Sequence, residues 1–268
     1  MEQFTLKQLG QQVYDYCGLN YLNNISSLES KISPRLQSLS LSLWEYLKLL
    51  ENDPHEWDTL VEILTINETY FFREDKQLTF FQETILPALK VKKPSQPIRI
   101  WSAACSTGEE PYSLAMLILD SGLLEQHDVQ IIGTDINKKV LAVAKKGTYS
   151  KKSLSFRRIP PIWLNKYFEE GKEEYKVKDT VKGMVDFEYL NLLDKEKMSL
   201  QNQFDIIFCR NVLIYFDQET MRKVTSSFFQ SLVSGGHLFL GHAENISNMG
   251  IGFETISTEG TFFYRKGN

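Results

Sequence analysis

The segment WSAACSTGEEPYS, residues 101–113, is the strongest indication of fold in this chain of 268 residues. It opens at the end of a predicted short buried strand, Ile98–Ala103, and continues into a loop of small polar residues. Gly108 in this loop allows a ligand to approach the backbone. Pro111 fits the first turn of the helix that follows, where its missing N–H costs nothing. Because the first N–H groups of a helix have no partners within it, the stretch predicts a pocket of the nucleotide-binding type.

A second short strand supplies the other wall of the predicted pocket. Val129–Gly133 is apolar, and Asp135 follows it, 27 residues after Gly108. An acidic residue at the end of the second strand of a βαβ unit is placed to accept hydrogen bonds from both hydroxyls of a ribose. A dinucleotide site needs G-x-G-x-x-G in the first loop, whereas only Gly108 is present here. The pattern favours a nucleoside cofactor without a pyrophosphate, such as S-adenosylmethionine; an ordinary α/β crossover with a solvated Asp135 is the alternative.

The composition is that of an ordinary globular protein, with 42% hydrophobic and 24% charged residues. No apolar run is long enough to predict a membrane span, and residues 1–20 lack the basic and apolar regions of a signal peptide. Three widely spaced cysteines, Cys17, Cys105 and Cys209, favour reduced thiols and a cytoplasmic location. The formal net charge of −4 argues against a general nucleic-acid binder. No cysteine–histidine cluster has zinc spacing, so we expect no metal.

The chain divides into a helical first part and an α/β second part. Residues 1–75 are predicted to form an N-terminal helical domain, and residues 76–97 a connecting helix and linker. Residues 98–268 alternate strands with helices, which predicts a parallel sheet that ends in a hairpin. Gly235-Gly236 is interpreted as a turn into the fifth strand. A polar insert at residues 147–184 has no place in that sheet.

Two helix starts are predicted within the helical part. Ser42 and Glu45 have the spacing of a capping box, in which each side chain reaches back to the other's backbone. Asp53 precedes Pro54, and Glu56 stands at the capping-box position after it. Both patterns predict that a helix begins at the residue after the polar cap.

Six motifs, in this order, closely resemble those of the chemotaxis receptor methyltransferases, the CheR family: NETYFFRE (67–74), CSTGEEPYSLAM (105–116), GTDIN (133–137), LNLLD (190–194), FDIIFCRNVLIYFD (204–217) and GHAEN (241–245). The resemblance implies a class I S-adenosylmethionine methyltransferase fold. That fold is a Rossmann-like, mostly parallel seven-stranded sheet with a small N-terminal all-helical domain and a small antiparallel β insert. The resemblance also implies methyl transfer to glutamate side-chain carboxylates on the cytoplasmic helices of chemoreceptors, with S-adenosylhomocysteine as product.

Methylation of a carboxylate needs an aligning cation more than it needs a base. A glutamate has an ordinary pKa of about 4.3, so it is an anion at neutral pH, and the enzyme has to orient it and exclude water. Arg73 can hold a carboxylate bidentately, and the resemblance makes it the substrate-orienting arginine. The alternative is a surface arginine paired with Glu74 or Asp75. Tyr215 follows the fourth strand, where ligands of parallel sheets bind, and the resemblance favours a catalytic phenol over a half-buried aromatic.

The strand ends and the resemblance together predict a set of cofactor contacts. Glu109 is assigned to the methionine ammonium, with a first-turn acid that satisfies the helix dipole as the alternative. Ala103 is small enough for close approach of the cofactor. Asn191 and Leu192 follow the third strand, where the adenine is expected. The full predicted set is Asn67, Thr69, Arg73, Ala103, Gly108, Glu109, Asp135, Asn191, Leu192, Arg210 and Asn211.

The charge distribution departs from the pattern of the family. The resemblance predicts arginines on a helix of the N-terminal domain that would dock an acidic receptor helix. Residues 1–70, however, carry four basic residues against ten acidic ones. Six basic residues and no acidic one lie within residues 145–158, and we expect this run to attract the receptor; a solvated charge run is the alternative. The insert lacks the glycine-rich loop of members that grip a receptor tail peptide, so we expect no such tether.

We expect a monomer, and two other functions fit the same fold. One is a methyltransferase that acts on another acceptor; the stretch around Tyr215 lacks the proline motif typical of nitrogen-methylating enzymes. The other is a non-catalytic S-adenosylmethionine-binding regulatory module. The presence of both Arg73 and Tyr215 argues against a module without activity.

Overall fold

A seven-stranded sheet organises the second part of the chain in a computed structural model that describes residues 2–267. Its strands follow the order β6-β2-β1-β7-β8-β10-β9. Pairing is parallel from β6 to β8 and antiparallel at β10 and β9. The strands of the chain are β1 Ile98–Ala103, β2 Val129–Asp135, β3 Thr148–Ser150, β4 Phe168–Glu170, β5 Glu174–Val177, β6 Val185–Tyr189, β7 Phe204–Cys209, β8 Leu232–Leu240, β9 Phe253–Thr258 and β10 Thr261–Lys266.

Both faces of this sheet are covered by apolar side chains. Successive residues of a strand point to opposite faces. Ile206 and Phe208 belong to one buried cluster, whereas Ile207 and Cys209, which alternate with them, belong to another. A strand buried on both faces reads as a continuous apolar run, which is why the bounds of β7 could be predicted from the sequence.

Helices occupy most of the remaining chain. A π-helical turn, Phe81–Ile85, joins α5 to α6 in one continuous segment. The helices are α1 Glu2–Cys17, α2 Ile25–Leu39, α3 Leu43–Asn52, α4 Pro54–Leu64, α5 Asp75–Phe80, α6 Leu86–Lys92, α7 Glu109–Ser121, α8 Lys138–Lys146, α9 Pro161–Tyr167, α10 Asp179–Lys182, α11 Lys195–Leu200 and α12 Gln218–Ser231.

The first four helices pack around a buried apolar cluster of their own. The predicted capping box of Ser42 and Glu45 begins α3. The side chain of Asp53 caps α4 by accepting a hydrogen bond from the backbone N–H of His55. Glu56 does not cap α4. Its carboxylate is buried and accepts hydrogen bonds from Arg35 and from the hydroxyl of Tyr46. A buried charge requires such partners, and this need outweighs the local capping pattern.

The insert folds as a three-stranded antiparallel sheet in the order β3-β5-β4. Its aromatic side chains surround Phe71, whose ring meets those of Tyr149, Phe156 and Phe168 at centroid distances of 5.1–5.5 Å. The backbone N–H of Phe71 also donates to the carbonyl oxygen of Ser155 at 2.9 Å. The insert therefore fixes the segment that leads into Arg73.

The fifth parallel strand starts earlier than predicted. Gly235-Gly236 lies inside β8 and is not a turn, because β8 begins at Leu232. The pairing between β7 and β8 shifts register between Phe204 and Ile206, and Gly235 has a φ of 74°. Two glycines allow the irregular strand to remain paired across this bulge.

The seven-stranded, mostly parallel sheet, the helical N-terminal part and the antiparallel insert are the predicted class I methyltransferase fold. β1 lies between β2 and β7, so the strand order reverses beside it. In such sheets the ligand crevice opens at the carboxyl ends of the strands on either side of the reversal. The fold thus places the candidate site after β1, β2 and β7.

Candidate active site

A cavity of about 1130 Å³, including its open mouth, lies where this reversal predicts it. Its wall joins the strand ends to the loop that connects the helical part to the rest of the chain. Nine of the twelve predicted site residues line it: Asn67, Thr69, Arg73, Asp135, Asn191, Leu192, Arg210, Asn211 and Tyr215. Sequence positions that are up to 148 residues apart are thus brought to one site.

Asp135 presents a buried carboxylate at the end of β2. Its two oxygens accept hydrogen bonds from the backbone N–H groups of Ser106 and Asn137, each at 2.8 Å. Burial raises the pKa of Asp135 to about 6, although these backbone hydrogen bonds act in the opposite direction. An ionised carboxylate has about four acceptor positions, so both oxygens can still accept hydrogen bonds from a ribose.

Arg73 lies between two residues with strained backbones. Phe72 and Glu74 have φ values of 59° and 61°, in the left-handed region that bulky residues rarely adopt. The Arg73 guanidinium donates from Nη1 to the carbonyl oxygen of Glu68 at 3.1 Å and lies 5.6 Å from the ring centre of Tyr70. Of seven non-glycine residues with positive φ in the described chain, Ala104, Ser106 and Asn211 line the cavity, and Phe72 and Glu74 flank Arg73, which lines it as well. Strain of this kind persists where the surrounding structure enforces it, as it does at functional sites.

Arg210 connects the end of β7 to the Arg73 segment. Its Nε donates to Glu110 at 2.6 Å, and its Nη1 donates to the main-chain oxygen of Arg73 at 2.7 Å. Glu110 also accepts a hydrogen bond from the hydroxyl of Ser102, the penultimate residue of β1. The pair of Arg210 and Glu110 therefore ties two strand ends to the loop that carries Arg73.

Tyr215 lies on a 3₁₀ turn, Leu213–Tyr215, that a buried carboxylate supports. Glu244 accepts hydrogen bonds from the backbone N–H groups of Asn211, Val212 and Ile214, and also from that of Gly241, at 2.6–3.3 Å. Burial raises the pKa of the Tyr215 phenol, while the nearby Arg73 lowers it. With an ordinary pKa of about 10, the phenol stays protonated at neutral pH.

The cavity wall has polar atoms that suit an S-adenosyl cofactor. The side-chain oxygen of Asn211 is buried and has no partner among the described residues, so it is free to accept a ligand N–H. Asp135 provides the carboxylate that a ribose requires. Asn191, which donates to the carbonyl oxygen of Tyr16 at 2.6 Å, places Leu192 on the cavity wall. A ligand with an amine, a ribose and an apolar ring edge matches these groups.

Three predicted contacts lie off the cavity wall. Ala103 is buried in the apolar cluster of one sheet face. A Cβ added to Gly108 would come within 2.9 Å of the Cβ of Ala144, so the missing side chain makes room for α8. The carboxylate of Glu109 is buried against the hydroxyls of Thr107 and Ser155, and burial raises its pKa.

Other cavity residues carry no signal in the sequence. Glu110, in the first turn of α7 beside Glu109, is the one of these two acidic residues that reaches the cavity, and no local pattern distinguishes them. Cys17, Leu19 and Tyr21 of the helical part also line the wall. These residues are 46 to 50 positions from Asn67, and only the tertiary fold brings them to the site. The motif GHAEN holds the one signal that could have revealed Glu244.

No group of histidine, cysteine, aspartate or glutamate side chains within residues 2–267 could hold a metal ion. In the same range, no helix has both the length and the apolar character needed to cross a membrane.

Comparison with known proteins identifies the family. The family model described as "CheR methyltransferase, SAM binding domain" matches residues 67–262, and the one described as "CheR methyltransferase, all-alpha domain" matches residues 5–65. The probable chemotaxis protein methyltransferase of Rhizobium etli is 34% identical over 267 residues, covering 92% of this chain and 98% of that protein. The chemotaxis protein methyltransferase of Escherichia coli is 35% identical over 251 residues, covering 91% and 85%.

A third relative, chemotaxis protein methyltransferase 2 of Vibrio cholerae, is 40% identical over 196 residues, covering 72% of this chain and 67% of that protein. The matched domain is defined by S-adenosylmethionine binding, in agreement with the cavity, so the predicted cofactor is confirmed. The two family models together cover nearly all of the chain. The chain therefore belongs to the CheR family of S-adenosylmethionine-dependent methyltransferases.

Proposed function

We propose that this methyltransferase forms γ-glutamyl methyl esters on the cytoplasmic helices of chemoreceptors and thereby adjusts chemotactic adaptation. Its relatives are named chemotaxis protein methyltransferases. The observation that carries the proposal is that Arg73 and Tyr215 both line the cavity, while none of the four histidines of the chain does. A cation and a phenol without a histidine base suit an acceptor that is already an anion.

The residues of the chain then have separate tasks. S-adenosylmethionine, when bound, supplies the electrophilic methyl group. The Arg73 guanidinium binds the acceptor carboxylate and holds one oxygen in line for displacement. The Tyr215 phenol donates a hydrogen bond at the mouth of the cavity and helps to fix the same group. The enclosing wall strips water from the carboxylate, which makes it a stronger nucleophile.

We assign the cofactor groups by the chemistry of the wall. Asp135 accepts hydrogen bonds from the ribose hydroxyls, and Leu192 with Asn191 flanks the adenine. Glu110 takes the role predicted for Glu109 as partner of the methionine ammonium, because it is the acid of this loop that reaches the cavity. Asn67 and Thr69 contact the cofactor from the connecting loop.

The test combines purified protein, methyl-labelled S-adenosylmethionine and membranes that contain a chemoreceptor of the same organism. We expect label in the receptor, and we expect mild alkali to release it as methanol. Arg73→Ala should lower the rate at least a hundredfold, and Tyr215→Phe about tenfold, with S-adenosylhomocysteine affinity nearly kept in Tyr215→Phe. Arg222→Ala, an exposed arginine on α12, is the matched control.

Two results would contradict the proposal. Alkali-stable label would mean a nitrogen acceptor and a different substrate class. Cofactor binding without any labelled acceptor would favour a non-catalytic regulatory module.

A further inference from the structure

The basic residues of α2 are engaged within the protein. Lys31 donates to the carbonyl oxygen of Leu64 at 3.4 Å, at the end of α4. Arg35 donates to both oxygens of the buried Glu56 carboxylate, at 2.9 and 2.6 Å. α2 contains no other basic residue. Glu56 therefore neutralises Arg35, whereas Lys31, bound to a neutral carbonyl, keeps its positive charge, so α2 offers an acidic partner one cation at most.

A different arginine lies beside the mouth of the cavity. Arg157, in the insert, donates from Nη2 to Glu68 at 2.8 Å, and its guanidinium carbon lies 3.8 Å from the ring centre of Tyr70. The guanidinium carbon of Arg73 lies 5.6 Å from the same ring centre. The two guanidinium carbons are thus at most 9.4 Å apart, the sum of these distances. The contacts of Phe71 with the insert hold Arg157 in this place.

Glu68 accepts hydrogen bonds from both Arg73 and Arg157. Its main-chain oxygen accepts from Arg73, and its carboxylate accepts from Arg157, which lowers the pKa of Glu68. The Glu68 side chain is 63% exposed, and that of Arg157 is 34% exposed. Exposed ion pairs add little to stability, so another carboxylate can replace this one at small cost. Arg157 is therefore a carboxylate-binding group that the chain itself fills when no substrate is bound.

We propose that Arg157 binds a second acidic side chain of the receptor helix, one turn away from the glutamate held by Arg73, and that Glu68 is the internal carboxylate it displaces. This inference rests on the proposed function. Residues four apart on a helix are separated by about 6 Å along its axis and face the same side, which matches two arginines within about 9 Å. The favoured partner is a helix that presents two carboxylates on one face.

Steady-state kinetics with receptor as the varied substrate tests the inference. Arg157→Gln should raise the KM for receptor about tenfold, the effect of one lost charged hydrogen bond, while kcat and the KM for S-adenosylmethionine stay near their original values. Arg158→Gln is the matched control, because Arg158 is also exposed and no residue within 2–267 forms an ion pair or hydrogen bond with it. It should leave all three constants unchanged.

A separate experiment tests whether Glu68 competes with the receptor carboxylate for Arg157. Glu68→Gln should lower the KM for receptor severalfold, and it should do so only when Arg157 is present. In the double variant the KM should equal that of Arg157→Gln alone. On the substrate side, replacing the acidic residue one turn from the methylated glutamate by glutamine should make the wild type and Arg157→Gln indistinguishable.

The outcomes separate this inference from the function on which it rests. If the wild type forms alkali-labile esters and Arg157→Gln behaves like Arg158→Gln, the inference is overturned and the function stands. A change confined to the cofactor KM would overturn it as well. Absence of alkali-labile ester in the wild type would contradict both the proposed function and this inference.

Discussion

Arg210 donates a hydrogen bond from its guanidinium to the main-chain oxygen of Arg73, at 2.7 Å, and is held there by Glu110. The Arg210 side chain is only 2% exposed, so it does not reach solvent or a docked receptor as a free cation. Its position indicates that it holds the strained Arg73 segment in place. A planar guanidinium suits this task, because some of its N–H donors can bind a carboxylate while another binds a carbonyl oxygen.

We therefore expect Arg210→Lys to impair catalysis although it keeps the charge. A lysine ammonium can pair with Glu110, but it cannot also reach the Arg73 carbonyl in the same geometry. The predicted result is a fall in kcat of roughly tenfold to a hundredfold, in the range caused by misplacing a catalytic group by about 1 Å. The rate at which labelled methyl groups enter the receptor, sampled at fixed times, measures this kcat. Lys223→Arg on the exposed face of α12 should have no effect; an equally active Arg210→Lys would contradict the positioning role.

Glu244 supports Tyr215 in a comparable way, through backbone N–H groups. In Glu244→Gln the amide has one acceptor oxygen, and its NH₂ group faces donors that the carboxylate had satisfied. Buried donors that lose a charged acceptor are costly, so we expect the free energy of unfolding to fall by about 2–4 kcal/mol. Urea denaturation measures this loss, with Glu259→Gln in the exposed β9–β10 turn as control.

Activity distinguishes support of Tyr215 from a purely global effect. At a temperature where Glu244→Gln is fully folded, we expect kcat to fall while affinity for S-adenosylhomocysteine is largely retained. A variant that is less stable but has full kcat would show that Glu244 holds the fold and not the phenol.

The sequence predicted the bounds of two buried strands but not the way in which distant segments meet. β1 and β7 have the predicted bounds because buried strands are apolar runs that end at polar or small residues. The loop after β1 predicted a pocket, yet of Glu109 and Glu110 it indicated the one that turns away from the cavity. That choice depends on Ser155 and Arg210, which lie 46 and 100 residues further along the chain.

The buried carboxyl group of Asp135 predicts that stability and cofactor affinity change in opposite directions as pH rises. Its pKa is about 6 in the folded protein and about 3.9 in an unfolded chain. Between these values the folded state binds more protons, so the free energy of unfolding without ligand should decrease as pH rises from about 4 to about 6. The ribose contact proposed for Asp135 needs the ionised carboxylate, so affinity for S-adenosylhomocysteine should increase as pH rises through about 6.

Calorimetric titration between about pH 5 and 7.5 checks the affinity, and denaturation between about pH 4 and 7.5 checks the stability. Below about pH 6 we expect up to a tenfold loss of affinity for each pH unit. Asp135→Asn should bind weakly and without this pH dependence. The buried Glu109, whose pKa is also raised, should leave part of the stability trend in that variant. Affinity that is constant across the range would contradict the ribose role of Asp135.

Gly108 tests whether the loop glycine serves packing or ligand approach. Gly108 precedes α7 and Gly122 follows it, with φ values of 92° and 62°, so an alanine at either position is strained. The two differ in their surroundings. A Cβ at Gly122 would meet nothing within 4 Å, whereas one at Gly108 would lie 2.9 Å from the Cβ of Ala144 and 3.2 Å from the ring of Phe187.

We expect Gly122→Ala to lower the free energy of unfolding by about 1 kcal/mol, from backbone strain alone. Gly108→Ala should cost about 2–4 kcal/mol, because overpacking against α8 adds to the same strain. Urea denaturation of both variants gives the difference, and S-adenosylhomocysteine binding gives the second readout. If the two alanines cost equal stability and only Gly108→Ala loses the ligand, this glycine is needed for cofactor approach after all, and its packing against Ala144 is incidental.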